Sequence, residues 1–301
     1  MNFHDEINIA EKTANFIGSV HENIILDNNS FKENLDEFIE AIDVPSIDGL
    51  NTFLISKSVK DKVKVILSGL GGDEFFAGYP VFHEVFNLQC KKYFDHFLRF
   101  LPLRILWHIN KSYLINYNKS IFEILASKRC LSGINEDCQK YLQTYYFENK
   151  EKLKSVSIFE IKNYMSNMLL RDSDAVGMHN SLEIRTPFVD KKILKFVLSI
   201  PDKYKVEKQI NKPLLVNTFK DLLLPDVYSG SKKGFVLPIE KWLKKYMNEK
   251  CFASIKEIIK VYGIDTLLPV FKHNRQNSTY LRLVLAEWLK NNDAYLCKGI
   301  Q

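Results

Sequence analysis

The sequence of 301 residues is poor in cysteine and glycine and has no long apolar run. Its five cysteines are far apart, odd in number and form no C-x-x-C pair, which argues against a disulfide framework and against a cysteine zinc site. No apolar stretch reaches transmembrane length, and the N-terminus lacks a basic segment followed by an apolar one. We therefore expect a soluble, cytoplasmic protein with reduced thiols and no membrane partner.

A strong excess of one charge is also absent, since the net charge is only +6 and the lysines are scattered. Such a balance suits a nucleotide or pyrophosphate as well as it suits nucleic acid. Without a basic run, we expect small-molecule partners and no nucleic-acid partner. The histidines have no metal-ligand spacing, so the sequence assigns them no role.

Glycine is concentrated in one place, because four of the 12 glycines lie between residues 63 and 79. Residues 63–67, Val-Lys-Val-Ile-Leu, are mainly β-branched or bulky and predict a short buried strand. A glycine turn follows, and its backbone N–H groups can converge on an anion because no Cβ blocks the approach. The four glycines are Gly69, Gly71, Gly72 and Gly78.

Two carboxylates, Asp73 and Glu74, directly follow this turn. Carboxylates repel phosphate, but Mg²⁺ is commonly held by one or two carboxylates together with substrate phosphate oxygens. The pattern therefore predicts a magnesium-phosphate site at the C-terminal end of a strand. A plain strand, turn and N-capped helix explains the same residues, and both interpretations stay open. Neither the Walker nor the dinucleotide fingerprint fits.

Alternating strands and helices predict a parallel α/β part over residues 1–80. The expected elements are a helix over 6–17, a strand over 20–26, a helix over 30–42 behind an Asn-Asn-Ser cap, and a helix over 50–60. Beyond residue 80 the sequence predicts a mainly helical part over 81–301. Its amphipathic segments are 82–100, 103–114, 120–126, 136–147 and 158–170.

Two later stretches are more polar than a helical core requires. In residues 169–190 the charged side chains are predicted to form one ion-pair network that fixes helix to loop. The members of that network are Arg171, Asp172, Asp174, Glu183 and Arg185. In residues 224–235 two lysines, Lys232 and Lys233, lie between glycines. They are either solvated loop charges or a cation for phosphate.

Together these stretches resemble the synthetase domain of the glutamine-dependent asparagine synthetases, to which the β-lactam synthetases are related. The first match is Ser68-Gly-Leu-Gly-Gly-Asp-Glu-Phe-Phe-Ala-Gly-Tyr79, and the second is the run 171–190. The third is a series of separate positions. It comprises Lys212, Leu224-Pro225, Lys232-Lys-Gly-Phe235, Pro238 and Trp242. The resemblance implies a parallel-sheet fold of the ATP pyrophosphatase type, which is adenine nucleotide α-hydrolase-like.

The resemblance also implies a two-step reaction with ATP and Mg²⁺. The family adenylates the side-chain carboxylate of aspartate, releasing pyrophosphate, and ammonia from glutamine then displaces AMP. By this resemblance Asp73 holds magnesium and acts in catalysis, and Lys232 stabilises charge on the phosphates. Glu183 and Arg185 are expected to be scaffold residues. The residues expected to line the ATP and pyrophosphate site are Ser68, Gly69, Gly71, Gly72 and Glu74.

Three departures from the family pattern change the expectation. The glutaminase domain, with its N-terminal cysteine, and the first phosphate loop, Ser-Gly-Gly-x-Asp-Ser, have no counterpart. Leu70 stands where many members carry an acid. We therefore expect an N-terminally truncated chain with weak or no synthetase activity alone. Two alternatives stay open: a non-catalytic fragment or one completed by a separate chain that supplies the missing parts, and an amide-forming enzyme for another carboxylate such as a sugar acid.

Overall fold

The structure is a computed structural model that describes residues 4–88, 120–129, 136–228, 237–246 and 278–292, with positions 258 and 261. The helices are α1 (His4–Ile17), α2 (Asn28–Ala41), α3 (Gly49–Val59), α4 (Gly72–Phe75), α5 (80–88), α6 (Ile121–Arg129), α7 (Glu136–Gln143), α8 (Lys152–Glu160), α9 (Leu170–His179), α10 (Lys191–Ser199), α11 (Pro213–Phe219), α12 (Pro225–Tyr228), α13 (Ile239–Tyr246) and α14 (Ser278–Asn291). The strands are β1 (Val65–Leu67) and β2 (Glu183–Arg185). A π-helical segment covers Ile161–Leu169, and 3₁₀ turns cover Asp202–Tyr204 and Lys220–Leu222.

The three helices predicted before residue 61 are confirmed as α1, α2 and α3. Their positions follow from apolar residues at helical spacing, since α2 buries Phe31, Leu35 and Phe38 on one face. The predicted Asn-Asn-Ser cap is wrong. Asp27 caps α2 instead, and its Oδ1 accepts a hydrogen bond from the Ser30 backbone N–H at 2.8 Å. None of the helices in the described part of the chain is long and apolar enough to cross a bilayer.

The described strands form a two-stranded parallel sheet in an otherwise mostly helical chain. Val65 of β1 is in register with Glu183 of β2, and Leu67 is in register with Arg185. An α/β class with a small parallel sheet is therefore confirmed, while the ATP pyrophosphatase topology stays a prediction. The sequence missed β2, because Glu-Ile-Arg is short and two of its three residues are charged.

Two predictions about strands are wrong. Residues 20–26 are not a strand, and Val20 is fully exposed. A strand needs a neighbour for its backbone hydrogen bonds, and no described strand lies beside this segment. Strand β1 was expected to be buried, yet the Leu67 side chain is 73% exposed. Parallel strands are buried when layers cover both faces of a wider sheet, and in the described residues β1 has only β2 beside it.

One edge of β1 is open in the described part of the chain. The Glu183 N–H donates to the Lys64 carbonyl at 2.9 Å, and the Ser68 N–H donates to the Arg185 carbonyl at 2.8 Å. In a parallel ladder alternate residues bond to the same neighbour, so the backbone groups of Val65 and Leu67 face the other edge. An apolar strand edge of this kind pairs readily with another chain.

We expect Leu67→Lys to reduce self-association of the protein, because a charged side chain on an edge strand opposes edge-to-edge pairing. The measurement is light scattering against protein concentration. Leu222→Lys is the matched control, since Leu222 is similarly exposed at 67% but lies in a 3₁₀ turn away from the strand. Equal effects of the two substitutions would show that general surface polarity, and not the strand edge, controls association.

Three apolar clusters of buried side chains lie in the described part of the chain. The first packs α2 and α3 against α13 and α14, and includes Phe53 and Tyr280. The second joins α5, α6 and α8 around Phe82 and Phe159. The third lies beneath α4 and contains Phe75. Since the first cluster takes residues from both sides of position 80, the elements before this position share a core with the C-terminal helices, and a division at residue 80 stays a prediction.

Helices α8 and α9 are joined by the π-helical segment into one continuous rod from Lys152 to His179. The Leu170 N–H donates to the Met165 carbonyl, five residues earlier, which is the π-helical spacing. Met165 packs into the third cluster beneath α4. The rod thus brings side chains from its π-helical segment next to the glycine turn, and such segments are frequent at functional sites.

Candidate active site

The glycine turn after β1 is tight and depends on glycine at one position. Gly71 has φ +87°, and a Cβ there would lie 2.8 Å from Val189 Cγ2. Leu70 N–H donates to Ser68 Oγ at 3.4 Å, and Gly72 N–H donates to the Gly69 carbonyl at 3.2 Å. The predicted turn is therefore present, but two of its N–H groups bond within the turn. Contact of these groups with phosphate stays a prediction.

The two carboxylates of α4 point into different environments. Asp73 Oδ1 lies 3.0 Å from Lys212 Nζ, and both side chains are partly exposed. The Glu74 side chain is buried, and its Oε1 accepts a hydrogen bond from the Tyr79 hydroxyl at 2.6 Å. Burial raises the pKa of Glu74, while the bond from Tyr79 opposes this rise. The neighbouring acids are thus suited to different tasks, Asp73 to binding and Glu74 to holding the turn.

A cavity of about 790 Å³ lies between α1, α11 and α12, and Asp73 is on its wall. This volume is within the usual range for small-molecule sites. Its apolar wall comes from Ile9, Ala10, Ala14, Ile17, Leu215, Val216, Leu223 and Val227. Its polar side chains come from Thr13, Ser19, His21, Asp73, Asn211, Lys212, Asp226 and Tyr228. The cavity therefore combines an apolar wall with the Asp73–Lys212 ion pair.

Lys212 is a site residue that the sequence matched to the family pattern without giving it a role. Its backbone is left-handed, with φ 55° and ψ 54°, directly before Pro213, which opens α11. Gly78 lies against the ion pair, since a Cβ there would be 1.8 Å from Asp73 Oδ1 and 2.6 Å from Lys212 Cε. A lysine preceding a helix-starting proline was the available signal, but the sequence could not show its contact with Asp73.

The predicted ion-pair network around residues 171–185 is wrong, because its members make separate contacts. Arg171 pairs with Asp43 at 2.8 Å, whereas Glu183 and Arg185 pair with each other at 2.7 Å. Asp174 is exposed. Neighbouring residues of a helix point about 100° apart, so Arg171 and Asp172 of α9 meet different partners. Alternate residues of a strand share one face, so Glu183 and Arg185 of β2 pair with each other.

The remaining member, Asp172, is buried between α9 and the loop before α3. Ser46 Oγ donates to its Oδ2 at 2.5 Å. Burial raises the pKa of Asp172 to about 7, the Ser46 bond opposes the rise, and the charges of Asp48 and Asp43 add to it. This carboxyl is therefore a proton-binding group of the folded protein.

The structure places the predicted site residues as follows. Asp73 lines the cavity, while Ser68, Gly69, Gly71 and Gly72 form the turn beside it. Glu74 is turned away toward Tyr79. Lys232 lies outside the described residues, so its predicted role in catalysis stays a prediction.

The residues present fit a magnesium ion only together with a substrate. In the described residues no group of three or more His, Cys, Asp or Glu side chains could hold a metal ion. A single carboxylate such as Asp73 is nevertheless a common protein contribution to Mg²⁺ when substrate phosphates supply further oxygens. The metal assignment of Asp73 stays a prediction that this donor set permits.

Comparison with known proteins gives a consistent family. A family model described as Asparagine synthase matches residues 2–290. The asparagine synthetase [glutamine-hydrolyzing] 1 of Bacillus subtilis (strain 168) is 27% identical over 275 residues, which are 84% of this chain and 43% of the relative. The putative asparagine synthetase [glutamine-hydrolyzing] of Mycobacterium tuberculosis (strain ATCC 25618 / H37Rv) is 25% identical over 263 residues, 79% of this chain and 40% of the relative.

A relative with a different name also matches, the amidase chyE of Penicillium rubens, at 22% identity over 311 residues, 87% of this chain and 45% of the relative. The chain thus spans less than half the length of each of these relatives. The family match covers nearly the whole chain and includes the glycine turn, Asp73 and Lys212. The chain therefore belongs to the asparagine synthase family.

Proposed function

We propose that this chain carries the synthetase chemistry of its family: ATP-dependent formation of an amide from a carboxylate and ammonia. The observation that carries the proposal is the Asp73–Lys212 pair on the wall of a 790 Å³ cavity, directly after a glycine turn. An ammonium and a carboxylate side by side on the cavity wall suit a magnesium-bound polyphosphate, and the apolar part of the wall suits the adenine base of ATP. The names of the relatives support amide formation.

In the proposed reaction an oxygen of the substrate carboxylate attacks the α-phosphorus of ATP, and the bond to pyrophosphate breaks. Ammonia then attacks the acyl carbon of the adenylate, and AMP leaves with the electron pair of the broken C–O bond while the nitrogen loses a proton. Lys212 would bind the phosphates as a point charge, and Asp73 would hold Mg²⁺ beside them. Mg²⁺, when bound, supplies charge neutralisation on the departing pyrophosphate.

Asp73 and Lys212 neutralise each other at 3.0 Å when no ligand separates them. A magnesium-bound polyphosphate would offer each a new partner, since Asp73 could hold the metal and Lys212 could bind phosphate oxygen. Gly78 makes this exchange possible because its missing side chain leaves room for both groups. Lys232 is proposed to add a second cation.

Aspartate is the proposed carboxylate and ammonia the proposed nucleophile. Leu70 offers no carboxylate to take a proton from the attacking nitrogen. Free ammonia needs only one proton removed after attack, which solvent can accept. Pyrophosphate release with a series of carboxylates, including sugar acids, distinguishes aspartate from another acceptor.

We expect the chain to bind Mg-ATP and Asp73→Asn to weaken this binding at least about tenfold, because the neutral amide is a poor magnesium ligand. Calorimetry with Mg-ATP measures the binding, and pyrophosphate release with aspartate and ammonia measures the reaction. Asp226→Asn is the control, since Asp226 lines the same cavity but pairs with Lys12 at 3.1 Å. Absence of Mg-ATP binding by the unchanged protein would contradict the proposal.

A second candidate function is favoured by the edge of β1 that no other described strand covers. A separate polypeptide that completes the sheet and the phosphate site would pair with β1 along this edge. The test is co-expression with the part of the Bacillus subtilis relative that this chain does not match. Pyrophosphate release that appears only in the co-purified pair supports completion by a partner, and equal release by the chain alone contradicts it.

A further inference from the structure

Arg129 lies at the centre of a partly buried polar cluster that the proposed reaction does not use. Arg129 is the last residue of α6. The other members of the cluster come from α4, from the residue that follows Gly78, from α8 and from the π-helical segment. We call it the Arg129 cluster. Its members are Glu74, Tyr79, Arg129, Glu160 and Tyr164.

The guanidinium of Arg129 makes both an ion pair and aromatic contacts. Its Nη2 lies 2.6 Å from Glu160 Oε2, and its Nε donates to the same oxygen at 2.7 Å. Its Cζ lies 3.7 Å from the centre of the Tyr164 ring and 4.9 Å from the centre of the Tyr79 ring. Both distances are within the range of cation–π attraction. One planar cation therefore holds two rings and one carboxylate.

Each tyrosine extends the cluster to a different part of the site. The Tyr79 hydroxyl donates to Glu74 Oε1 at 2.6 Å, directly beside Asp73. The Tyr164 hydroxyl donates to Asp48 Oδ2 at 2.7 Å, in the loop before α3. The two rings meet edge to face, with centres 6.3 Å apart. Arg129 thus contacts the rings of both tyrosines whose hydroxyl groups bond to α4 and to the loop before α3.

The buried charges make the cluster sensitive to loss of its cation. Glu74 and Glu160 are each only 1% exposed. Burial raises the pKa of both carboxyls, and the positive charge of Arg129 opposes the rise in each case. A buried carboxylate that loses its cation is strongly destabilised, so the whole cluster depends on Arg129.

We infer that Arg129 is a positioning residue for Asp73: by clamping the Tyr79 ring it keeps the Tyr79 hydroxyl on Glu74, which fixes the turn of α4 that carries Asp73. Helix α4 is only four residues long. Phe75 N–H donates to the Gly71 carbonyl at 3.0 Å, and Gly78 N–H donates to the Asp73 carbonyl at 2.8 Å. So short a helix needs outside contacts to hold one geometry.

A simpler role for Arg129 would be to neutralise Glu160 and nothing more. The double variant Arg129→Met/Glu160→Gln separates the two roles, because it removes the buried anion together with its cation. If Arg129 only neutralises Glu160, the double variant should regain the wild-type geometry of residues 71–78. Clamping predicts that the turn stays loose, since methionine lacks the planar cation that holds the Tyr79 ring.

The experiment is hydrogen exchange of the full chain, read at residues 71–78 and, as an internal reference, at α2. In Arg129→Met and in the double variant we expect about tenfold faster exchange at 71–78 and less than about twofold change at α2. Arg129→Lys, which keeps the charge, should show a smaller increase. Lys128→Met is the matched control, because the adjacent Lys128 is exposed and pairs with Glu84 at 2.8 Å.

Equal acceleration at 71–78 and at α2 would overturn the inference, because it would mean only general destabilisation. A double variant with wild-type exchange at 71–78 would also overturn it. Mg-ATP binding, measured in parallel, rests on the proposed function, and we expect about tenfold weaker binding in the double variant. Fast exchange at 71–78 with no Mg-ATP binding by the unchanged protein would support the positioning role and contradict the proposed function.

Discussion

Gly78→Ala is expected to abolish the Asp73–Lys212 contact and to weaken Mg-ATP binding about 100-fold, since displacement of binding groups by about 1 Å has effects of this size. The added Cβ would lie 1.8 Å from Asp73 Oδ1 and 2.6 Å from Lys212 Cε, distances at which atoms cannot coexist. Gly78 is itself buried, so the two side chains have to move apart or the turn has to open. Overpacking of this kind also lowers the free energy of unfolding by about 1–3 kcal/mol.

Calorimetry with Mg-ATP and urea unfolding measure the two effects of Gly78→Ala separately. Gly69→Ala is the control for stability, because Gly69 lies in the glycine turn just before α4, yet a Cβ there meets no atom within 4 Å and its φ is not positive. We expect Gly69→Ala to change the free energy of unfolding by less than about 0.5 kcal/mol. Mg-ATP binding by Gly78→Ala at the wild-type level would contradict the proposed contribution of the Asp73–Lys212 pair.

Asp172→Asn is expected to remove a loss of stability that the wild-type protein shows as pH rises. The carboxyl has a pKa of about 7 in the folded protein, because it is buried and lies near Asp48 and Asp43, against about 4 in an unfolded chain. Between these values the folded state holds a proton that the unfolded state has released. The contribution of Asp172 to the free energy of unfolding therefore falls by up to about 4 kcal/mol between pH 4 and pH 7, and then levels off.

Urea unfolding of the wild type and of Asp172→Asn from pH 4 to pH 8 tests this expectation. The neutral amide imitates the protonated carboxyl, so the variant should gain stability relative to the wild type as pH increases. Asp174→Asn is the control, because Asp174 is exposed two residues further along the same helix. A difference between wild type and Asp172→Asn that stays constant over this pH range would show that the proton is not bound on folding.

The two acids after the glycine turn show how far local pattern can reach. From the local pattern alone, the sequence predicts one magnesium-phosphate site for Asp73 and Glu74, because both follow the same turn. In the structure Asp73 faces Lys212 and the cavity, whereas Glu74 is buried against Tyr79. Adjacent positions in a helical turn point in different directions, so only the neighbours supplied by the rest of the chain decide which acid meets solvent.

Asp172 and Arg129 show that local sequence pattern also misses features that depend on distant contacts. The sequence placed Asp172 in an ion-pair network, and it gave Arg129 no role. Burial and the contacts with Ser46 and Glu160 come from elements that are distant along the chain. A titration property or a clamp of this kind has no local signature, because it depends on which low-dielectric environment the folded chain builds around the group.

The sequence by itself determined the class, the family and the glycine turn. Helical spacing fixed α1, α2 and α3, and the Ser68–Tyr79 motif marked the end of β1, because both signals arise within a few consecutive residues. The tertiary structure alone decided that Lys212 pairs with Asp73, that β1 keeps an open edge in the described residues, and that Arg129 contacts both Tyr79 and Tyr164. These features come from contacts between segments far apart in the chain, which sequence periodicity does not encode.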